Sequence, residues 1–158
     1  MASTDAIEAH RLKCEMAGDV LRSTGAFRLK VNGWSMLPTI WPGDILEIGA
    51  SATGEAAPGD IVLYGRDERL FVHRVVAFRG GQLITRGDAM PEADPPVPDG
   101  GVMGRVQFIV RRGRKIAPSR RLTIGQRAIA RLVRSGSLGA RTVVRLENLR
   151  QNLGTMPS

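Results

Sequence analysis

A serine in a conformationally restricted segment is the first residue of this sequence that could perform covalent chemistry. Ser35 lies within residues 33–44, GWSMLPTIWPGD, and Pro38 follows it by three positions. Proline fixes its own φ and pushes the preceding residue towards an extended backbone, so a rigid segment is predicted after Ser35. Acyl transfer needs such rigidity, because the nucleophile must be held while the developing oxyanion meets preset donors. Taken alone, the pattern also fits a serine in an ordinary turn.

A histidine and two aspartates could complete a serine site. His73 lies in an apolar, strand-like run. A single histidine in a strand is commonly a partly buried structural residue, but the reference pKa of about 6.5 makes histidine the natural general base at neutral pH. Asp88 and Asp94 follow within residues 85–94, TRGDAMPEAD. Either carboxylate could fix the tautomer of the histidine, and either could instead form a solvated turn.

Thiol and metal chemistry have too few residues to support them. The one cysteine, Cys14, lies in a predicted helix and fits a small buried residue. The two histidines, His10 and His73, cannot provide the Cys/His spacing that binds zinc. We therefore expect no metal site.

The order and spacing of these segments resemble those of the type I signal peptidases. That family has a serine in an S-M-x-P-T segment, G-D pairs, a strand with the general base, a G-D-N-N-x-x-x-D-like loop and a G-x-V strand. The matching positions span residues 31–110 and are Ser35–Thr39, Gly43-Asp44, Gly59-Asp60, His73-Arg74, Gly87-Asp88 through Asp94, and Gly104–Val106. The Asn-Asn of the family loop is replaced here by Ala89-Met90.

The type of general base distinguishes the branches of that family. Many members, and the related self-cleaving repressors, use a lysine, but the three lysines of this chain (Lys13, Lys30 and Lys115) lie outside residues 60–76, where the base belongs. The His-Arg pair is similar to the endoplasmic-reticulum and archaeal branch. The resemblance implies a serine endopeptidase that cleaves a peptide or protein at small residues without a metal or cofactor. Its nucleophile is Ser35, its base is His73, and its supporting carboxylates are Asp94 and Asp88.

The elements that must position these residues are mostly short strands. A helix is predicted over residues 5–22, capped by Asp5. Residues 79–82, RGGQ, predict a tight hairpin, and residues 87–101 predict a loop. Six Val/Ile/Leu-rich runs predict strands: FRLKV, DILEIG, DIVLY, LFVHRVVAF, QLIT and VMGRVQFIV. The fold class is therefore mainly β, and the resemblance implies a coiled antiparallel signal-peptidase-like domain with an N-terminal helix and C-terminal helices.

Three units are predicted along the chain: an N-terminal helix over residues 1–26, a catalytic β domain over residues 27–112 and a basic helical tail over residues 113–158. Apolar stripes predict tail helices over residues 122–134 and 141–153. The stripe of the first helix consists of Ile124, Ala128, Ile129, Leu132 and Val133. Residues 1–110 hold 11 Lys/Arg and 14 Asp/Glu, a net charge of −3, whereas residues 111–158 hold 12 and 1, a net charge of +11.

The partners of the tail remain open at this point. Its helices could pack on the domain, contact an anionic membrane through residues 111–158, or bind nucleic acid. Nucleic acid is the weakest of these, because the tail has no aromatic residue for base stacking. No apolar run is long enough to cross a bilayer and no secretory signal is recognisable, so we expect a cytoplasmic protein that can lie at the membrane surface.

Two further functions compete with the peptidase. One is a catalytically inactive peptidase-like module that binds a partner or a membrane through the basic tail. The other is a self-cleaving regulator, but an N-terminal region of about 25 residues is too short for a usual DNA-binding domain.

Overall fold

The N-terminal helix precedes a sheet that holds most of the core. The computed structural model describes residues 2–98 and 100–135, with the backbone alone for residues 2–7. Helix α1 spans Ala2–Thr24 and ends where Gly25 takes a positive φ of 74°. It begins before Asp5, so the predicted cap is wrong, whereas the helix itself is present. Ala17, Gly18 and Leu21 are the residues of α1 that are buried, among those whose burial the structure describes.

Seven antiparallel strands form one sheet, which confirms the predicted mainly β fold class. The spatial order is β1-β2-β6-β3-β4-β5, and β7 pairs with β6. The Gly80-Gly81 hairpin joins β4 and β5, with φ of 56° and 80° as such turns require. The strands are β1 (Ala26–Lys30), β2 (Ile45–Ala50), β3 (Ile61–Arg66), β4 (Arg69–Arg79), β5 (Gln82–Arg86), β6 (Val102–Arg111) and β7 (Arg114–Ile116). A 3₁₀ turn lies at Thr53–Glu55.

Strand β4 changes its pairing partner part of the way along its length. Its first half pairs with β3, from Arg69 opposite Arg66 to Arg74 opposite Ile61. Its second half pairs with β5, beginning where Arg74 also lies opposite Arg86. Of the strands that the structure describes, residues 69–73 therefore have a neighbour on one edge only.

Two apolar clusters fill the interior. The larger is built on Leu46, Ile48, Leu63 and Ile109 and includes Leu21 of α1. The second surrounds the ring of Tyr64 and includes Val62, Val75, Leu83, Val97 and Val102. Val97 attaches the loop after β5 to the core in two ways. Its side chain is buried, and its N–H donates to the Leu83 carbonyl at 2.8 Å.

Helix α2, Ile124–Arg134, follows β7 and packs close to the Ser35 segment. Thr123 caps it by accepting a hydrogen bond from the Gln126 N–H. Val133 is buried against Leu37 and Ala89. Only part of the apolar stripe predicted for α2 is therefore buried against the domain.

Other residues of the predicted stripe of α2 are exposed to solvent. Ile124 is 87% exposed and Leu132 is 58% exposed, whereas Ala130 is buried although it was not assigned to the stripe. The sheet also continues through Ile116, past the predicted domain boundary at residue 112. The helix predicted over residues 141–153 lies outside the described residues.

Candidate active site

The segment that carries Ser35 is a tightly hydrogen-bonded loop between β1 and β2. The N–H groups of Thr39 and Ile40 donate to the Met36 carbonyl at 2.9 and 3.0 Å. Trp41 Nε1 donates to the Pro38 carbonyl at 2.7 Å. The side chains of Met36, Leu37 and Ile40 are buried, which leaves the half-exposed Ser35 at the surface of a fixed loop.

His73 lies at the position of β4 just before the change of pairing partner, opposite Val62 of β3. Its side chain is 7% exposed. The rings of Tyr64 and Phe71 contact the imidazole edge-on, with centroids 6.3 and 5.9 Å from the centroid of His73. This aromatic surrounding restricts the ring to one orientation.

A continuous chain of hydrogen bonds joins the serine, the histidine and one aspartate. Ser35 Oγ lies 3.0 Å from His73 Nε2. His73 Nδ1 lies 2.7 Å from Asp94 Oδ2. An ionised carboxylate can only accept, so Nδ1 carries the ring proton and Nε2 of the neutral ring accepts from the serine hydroxyl. This arrangement can remove a proton from Ser35 and stabilise the resulting imidazolium.

Asp94 is held by more than the histidine. The hydroxyl groups of Thr85 and Tyr64 lie 2.7 and 3.1 Å from Asp94 Oδ2, so three donors converge on one oxygen. The Asp94 N–H also donates to the Thr85 carbonyl at 2.8 Å. Burial raises the pKa of Asp94, but the hydrogen bonds from His73, Thr85 and Tyr64 outweigh it, and the pKa lies below its ordinary value. Burial raises the pKa of Tyr64, which therefore remains a donor.

The Asp88 carboxylate does not reach His73. It forms a bidentate ion pair with Arg74. The Arg74 Nε donates to Asp88 Oδ1 and a terminal nitrogen of Arg74 donates to Asp88 Oδ2, both at 2.8 Å. Arg74 donates as well to the carbonyls of Gly59 and Ser119, at 2.9 and 2.7 Å. The site prediction therefore needs correction at Asp88, because the side chains of residues 73 and 74 point to opposite faces of β4 and Asp88 follows the arginine.

A glycine permits the close packing of the loops around the histidine. A Cβ built on Gly87 would lie 2.6 Å from the Ser35 carbonyl oxygen and 3.2 Å from His73 Nε2. The N–H of Ala89, two residues after Gly87, donates to the same Ser35 carbonyl at 2.9 Å. Gly87 is thus the point at which the loop after β5 approaches both the backbone of Ser35 and the ring of His73.

The other two Gly-Asp pairs are structural. Asp44 Oδ2 accepts from the Trp41 N–H at 2.8 Å, and Asp60 Oδ2 accepts from the Ala57 N–H at 3.0 Å. Each aspartate also forms a salt bridge, Asp44 with Arg111 and Asp60 with Arg105 and Arg120. They close turns beside the site and do not enter it.

Backbone donors are free where an oxyanion would form. Among the described residues, the N–H groups of Ser35 and Met36 take part in no hydrogen bond. Gly33 has no side chain that could donate, as the sequence indicates. A carbonyl oxygen attacked by Ser35 can therefore meet main-chain donors next to the nucleophile.

A cleft of about 270 Å³ opens onto Ser35 and His73. One wall is formed by residues 29–33 and the other by residues 70–72 of β4. Its lining is largely apolar, through Leu29, Val31, Met36, Ile40, Leu70 and Val72. Helix α1 contributes His10 and Lys13 to its rim.

Sequence patterns predicted the three residues that form the hydrogen-bonded chain but missed those that hold it. Tyr64 and Thr85 looked like ordinary residues of β3 and β5, and only the strand register places them beside Asp94. His10 and Lys13 of the cleft belong to a helix that was predicted as a separate unit. No signal in the sequence indicated that the helix would border the site.

The described residues contain no cluster of His, Cys, Asp or Glu side chains that could hold a metal ion. None of the described helices combines the length and apolarity needed to cross a bilayer.

The family model for Peptidase S24-like proteins matches residues 2–100, which is more than half of the chain and includes α1 as well as Ser35, His73 and Asp94. A search of curated proteins found no match.

Proposed function

The chain belongs to the Peptidase S24-like family, and we propose that it is a serine endopeptidase in which Ser35 is the nucleophile, His73 the general base and Asp94 the orienting carboxylate. The observation that carries this proposal is the chain of two hydrogen bonds, 3.0 Å from Ser35 to His73 and 2.7 Å from His73 to Asp94. Within the wider family, the histidine base favours the Ser/His branch of the signal peptidases over the Ser/Lys branch.

The reaction proceeds through an acyl-enzyme. Ser35 Oγ attacks the carbonyl carbon of the scissile bond while His73 Nε2 accepts the hydroxyl proton. The ionised Asp94 stabilises the imidazolium, which then passes the proton to the leaving amine. Water, activated by the same nitrogen, releases the acyl group and restores Ser35.

The transition state gains its main stabilisation from the backbone. The oxyanion forms beside Ser35, where the N–H groups of Ser35 and Met36 have no other partner among the described residues. Because the loop is fixed by its own hydrogen bonds, these donors need no reorganisation when the charge develops.

An extended peptide is the substrate class that the cleft favours. Among the described strands, β1 has β2 as its only neighbour, and residues 69–73 of β4 have only β3. Both strands contribute to the cleft walls, so a peptide can pair with an unpaired backbone edge. The apolar lining suits uncharged side chains next to the scissile bond, in agreement with the small residues that the family resemblance implies.

Lysine is a weaker candidate for the base. Lys13 and Lys30 line the cleft, but within the described residues the only side chain that hydrogen-bonds to Ser35 Oγ is His73. A cationic lysine would in addition have to lose its proton before it could accept one.

A peptide-cleavage screen tests this proposal. The full chain is incubated with a complex peptide library, and new termini are identified by mass spectrometry for the wild type, Ser35→Ala and, as a matched control, Ser51→Ala. We expect cleavage by the wild type and Ser51→Ala, and none by Ser35→Ala. No cleavage by the folded wild type would favour the inactive binding module instead, and equal cleavage by Ser35→Ala would assign the activity to another source.

We further propose that residues 111–158 make peripheral contact with anionic lipid. Helix α2 exposes Ile124 and Leu132 beside Arg127 and Arg131, which is the combination that an interfacial helix needs. Such contact would bring the cleft close to membrane-associated peptides.

A further inference from the structure

A second cavity, of about 370 Å³, lies between α2 and the strands β4 and β5. It shares no lining residue with the catalytic cleft. Besides Val76, Leu122 and Asp88, all of its lining residues within the described chain are arginines: Arg74, Arg86, Arg121, Arg127, Arg131 and Arg134. We call this cavity the arginine pocket.

Within the part of the chain that the structure describes, carboxylates do not balance the positive charge of the arginine pocket. Asp88 is the one acidic residue in the lining, and both of its oxygens already bind Arg74. The five other arginines form no salt bridge with any described residue. Like charges are therefore gathered around one concave site.

Arg134 is the most constrained of these arginines. One terminal nitrogen donates to the Asp88 carbonyl at 2.9 Å, but its Nε is buried and has no hydrogen-bond partner among the described residues. Burial lowers the pKa of Arg134, and the nearby charges of Arg86 and Arg131 lower it further. A buried donor without a partner is uncommon in native proteins, and an acceptor placed in the pocket would satisfy it.

We propose that the arginine pocket binds a phosphate group. Guanidinium groups match the geometry of phosphate and carboxylate oxygens by paired N–H donors. A phosphate monoester carries a charge of about −1.5 to −2 and three acceptor oxygens, so it engages several arginines at once, whereas a carboxylate offers one charge and two oxygens. The phosphate can belong to a soluble compound or to a lipid headgroup. This inference is independent of the peptidase activity.

Calorimetric titration of the full chain with inorganic pyrophosphate tests the site. The variant is Arg127→Gln/Arg131→Gln, because both side chains are exposed and their loss leaves the core intact. The matched control is Arg69→Gln/Arg79→Gln, which removes the same charge from exposed positions of β4 outside the pocket. We expect saturable binding that weakens at least tenfold in the pocket variant and less than twofold in the control.

The same titration can overturn the proposal. If titration with NaCl of equal ionic strength gave the same heats as pyrophosphate, the arginines would respond only to bulk salt. An equal loss of affinity in the control variant would mean that net charge, and not the pocket, governs binding. Tighter binding of a single-stranded oligonucleotide than of pyrophosphate, with the same variant dependence, would assign a nucleic-acid backbone and also reject it.

Co-sedimentation with vesicles identifies the source of the phosphate. Phosphatidylcholine vesicles that contain phosphatidic acid are compared with vesicles of equal charge that contain phosphatidylserine. Preferential pelleting with phosphatidic acid, abolished by pyrophosphate and by Arg127→Gln/Arg131→Gln, supports a lipid headgroup in the pocket. Pyrophosphate binding without this preference supports a soluble phosphate compound.

Discussion

Replacement of Asp94 by asparagine separates the chemistry of the site from its stability. The variant keeps the shape of the side chain and removes its charge. Asparagine can still accept a hydrogen bond from His73 Nδ1, as well as those from Tyr64 and Thr85, so the loop after β5 should stay in place. The loss should therefore fall on the imidazolium that forms during acylation.

The magnitude follows from the distance between the two charges. His73 Nδ1 and Asp94 Oδ2 are 2.7 Å apart, which puts the charge centres at about 4 Å. At an effective dielectric constant of about 20, two unit charges at that separation attract by about 4 kcal/mol. That energy corresponds to about 10³-fold in rate, and serine triads that also lose the correct tautomer show about 10⁴-fold. We expect kcat to fall by about 10³- to 10⁴-fold with little change in KM.

Asp88→Asn is the matched control for the same loss of charge. Asp88 is buried and bound by Arg74, and breaking a buried ion pair costs about 3–5 kcal/mol of the free energy of unfolding. For a domain of this size, that loss lowers Tm by about 10 °C. Asp88→Asn should thus unfold at lower temperature but keep kcat within about tenfold of the wild type at a temperature where it is folded.

The assay combines a peptide taken from the cleavage screen with thermal unfolding of each variant. Asp94→Asn should lose turnover and keep Tm, and Asp88→Asn should show the reverse. If Asp94→Asn retained kcat within tenfold of the wild type, or if both variants lost turnover equally while folded, Asp94 would not be the orienting carboxylate.

Three other substitutions or truncations test the remaining parts of the proposal. His73→Gln should abolish peptide turnover, and Lys13→Gln should retain it; the opposite result, measured on the same peptide, would make the lysine the base. Gly87→Ala should lower kcat by about 10²-fold, because its Cβ would displace the nucleophile loop, whereas Gly54→Ala, which meets no atom within 4 Å, should leave kcat unchanged. Deletion of residues 117–158 should abolish salt-sensitive pelleting with anionic vesicles, and equal pelleting of full-length and truncated protein would reject the membrane contact.

Six of the seven described strands were predictable because each is a short apolar run between turn residues. The Gly80-Gly81 hairpin and the start of β2 after Gly43-Asp44 follow from local backbone chemistry alone. Strand β7 has three exposed residues and no apolar pattern, so its pairing with β6 depends on tertiary context. Helix α2 was predictable as a helix, but its contact face was not. Which residues pack depends on the shape of the surface formed by Leu37 and Ala89.

The types and order of the residues in the candidate site were predictable from the sequence, but their hydrogen-bond partners depend on strand register. Asp88 and Asp94 are equivalent candidates in the sequence, since both follow β5 in the same loop. The structure separates them because His73 and Arg74 are consecutive residues of one strand and must face opposite sides. Each side chain then takes the carboxylate on its own side: Arg74 binds Asp88, and His73 binds Asp94.

The change of pairing partner along β4 explains why a site can form at this place in the sheet. Up to Arg74 the strand leaves one edge free of a strand neighbour, and from Arg74 onward β5 occupies that edge. His73 is the last residue before the change, so it is supported by β3 on one side and open to the cleft on the other. The loops from β1 and from β5 can both reach it there, with Ser35 on one and Asp94 on the other. A histidine two or more residues later would lie in the part of β4 that pairs with β5, where β5 occupies the edge that a peptide would need. The geometry of the candidate site is therefore a consequence of the strand lengths as much as of the residue types.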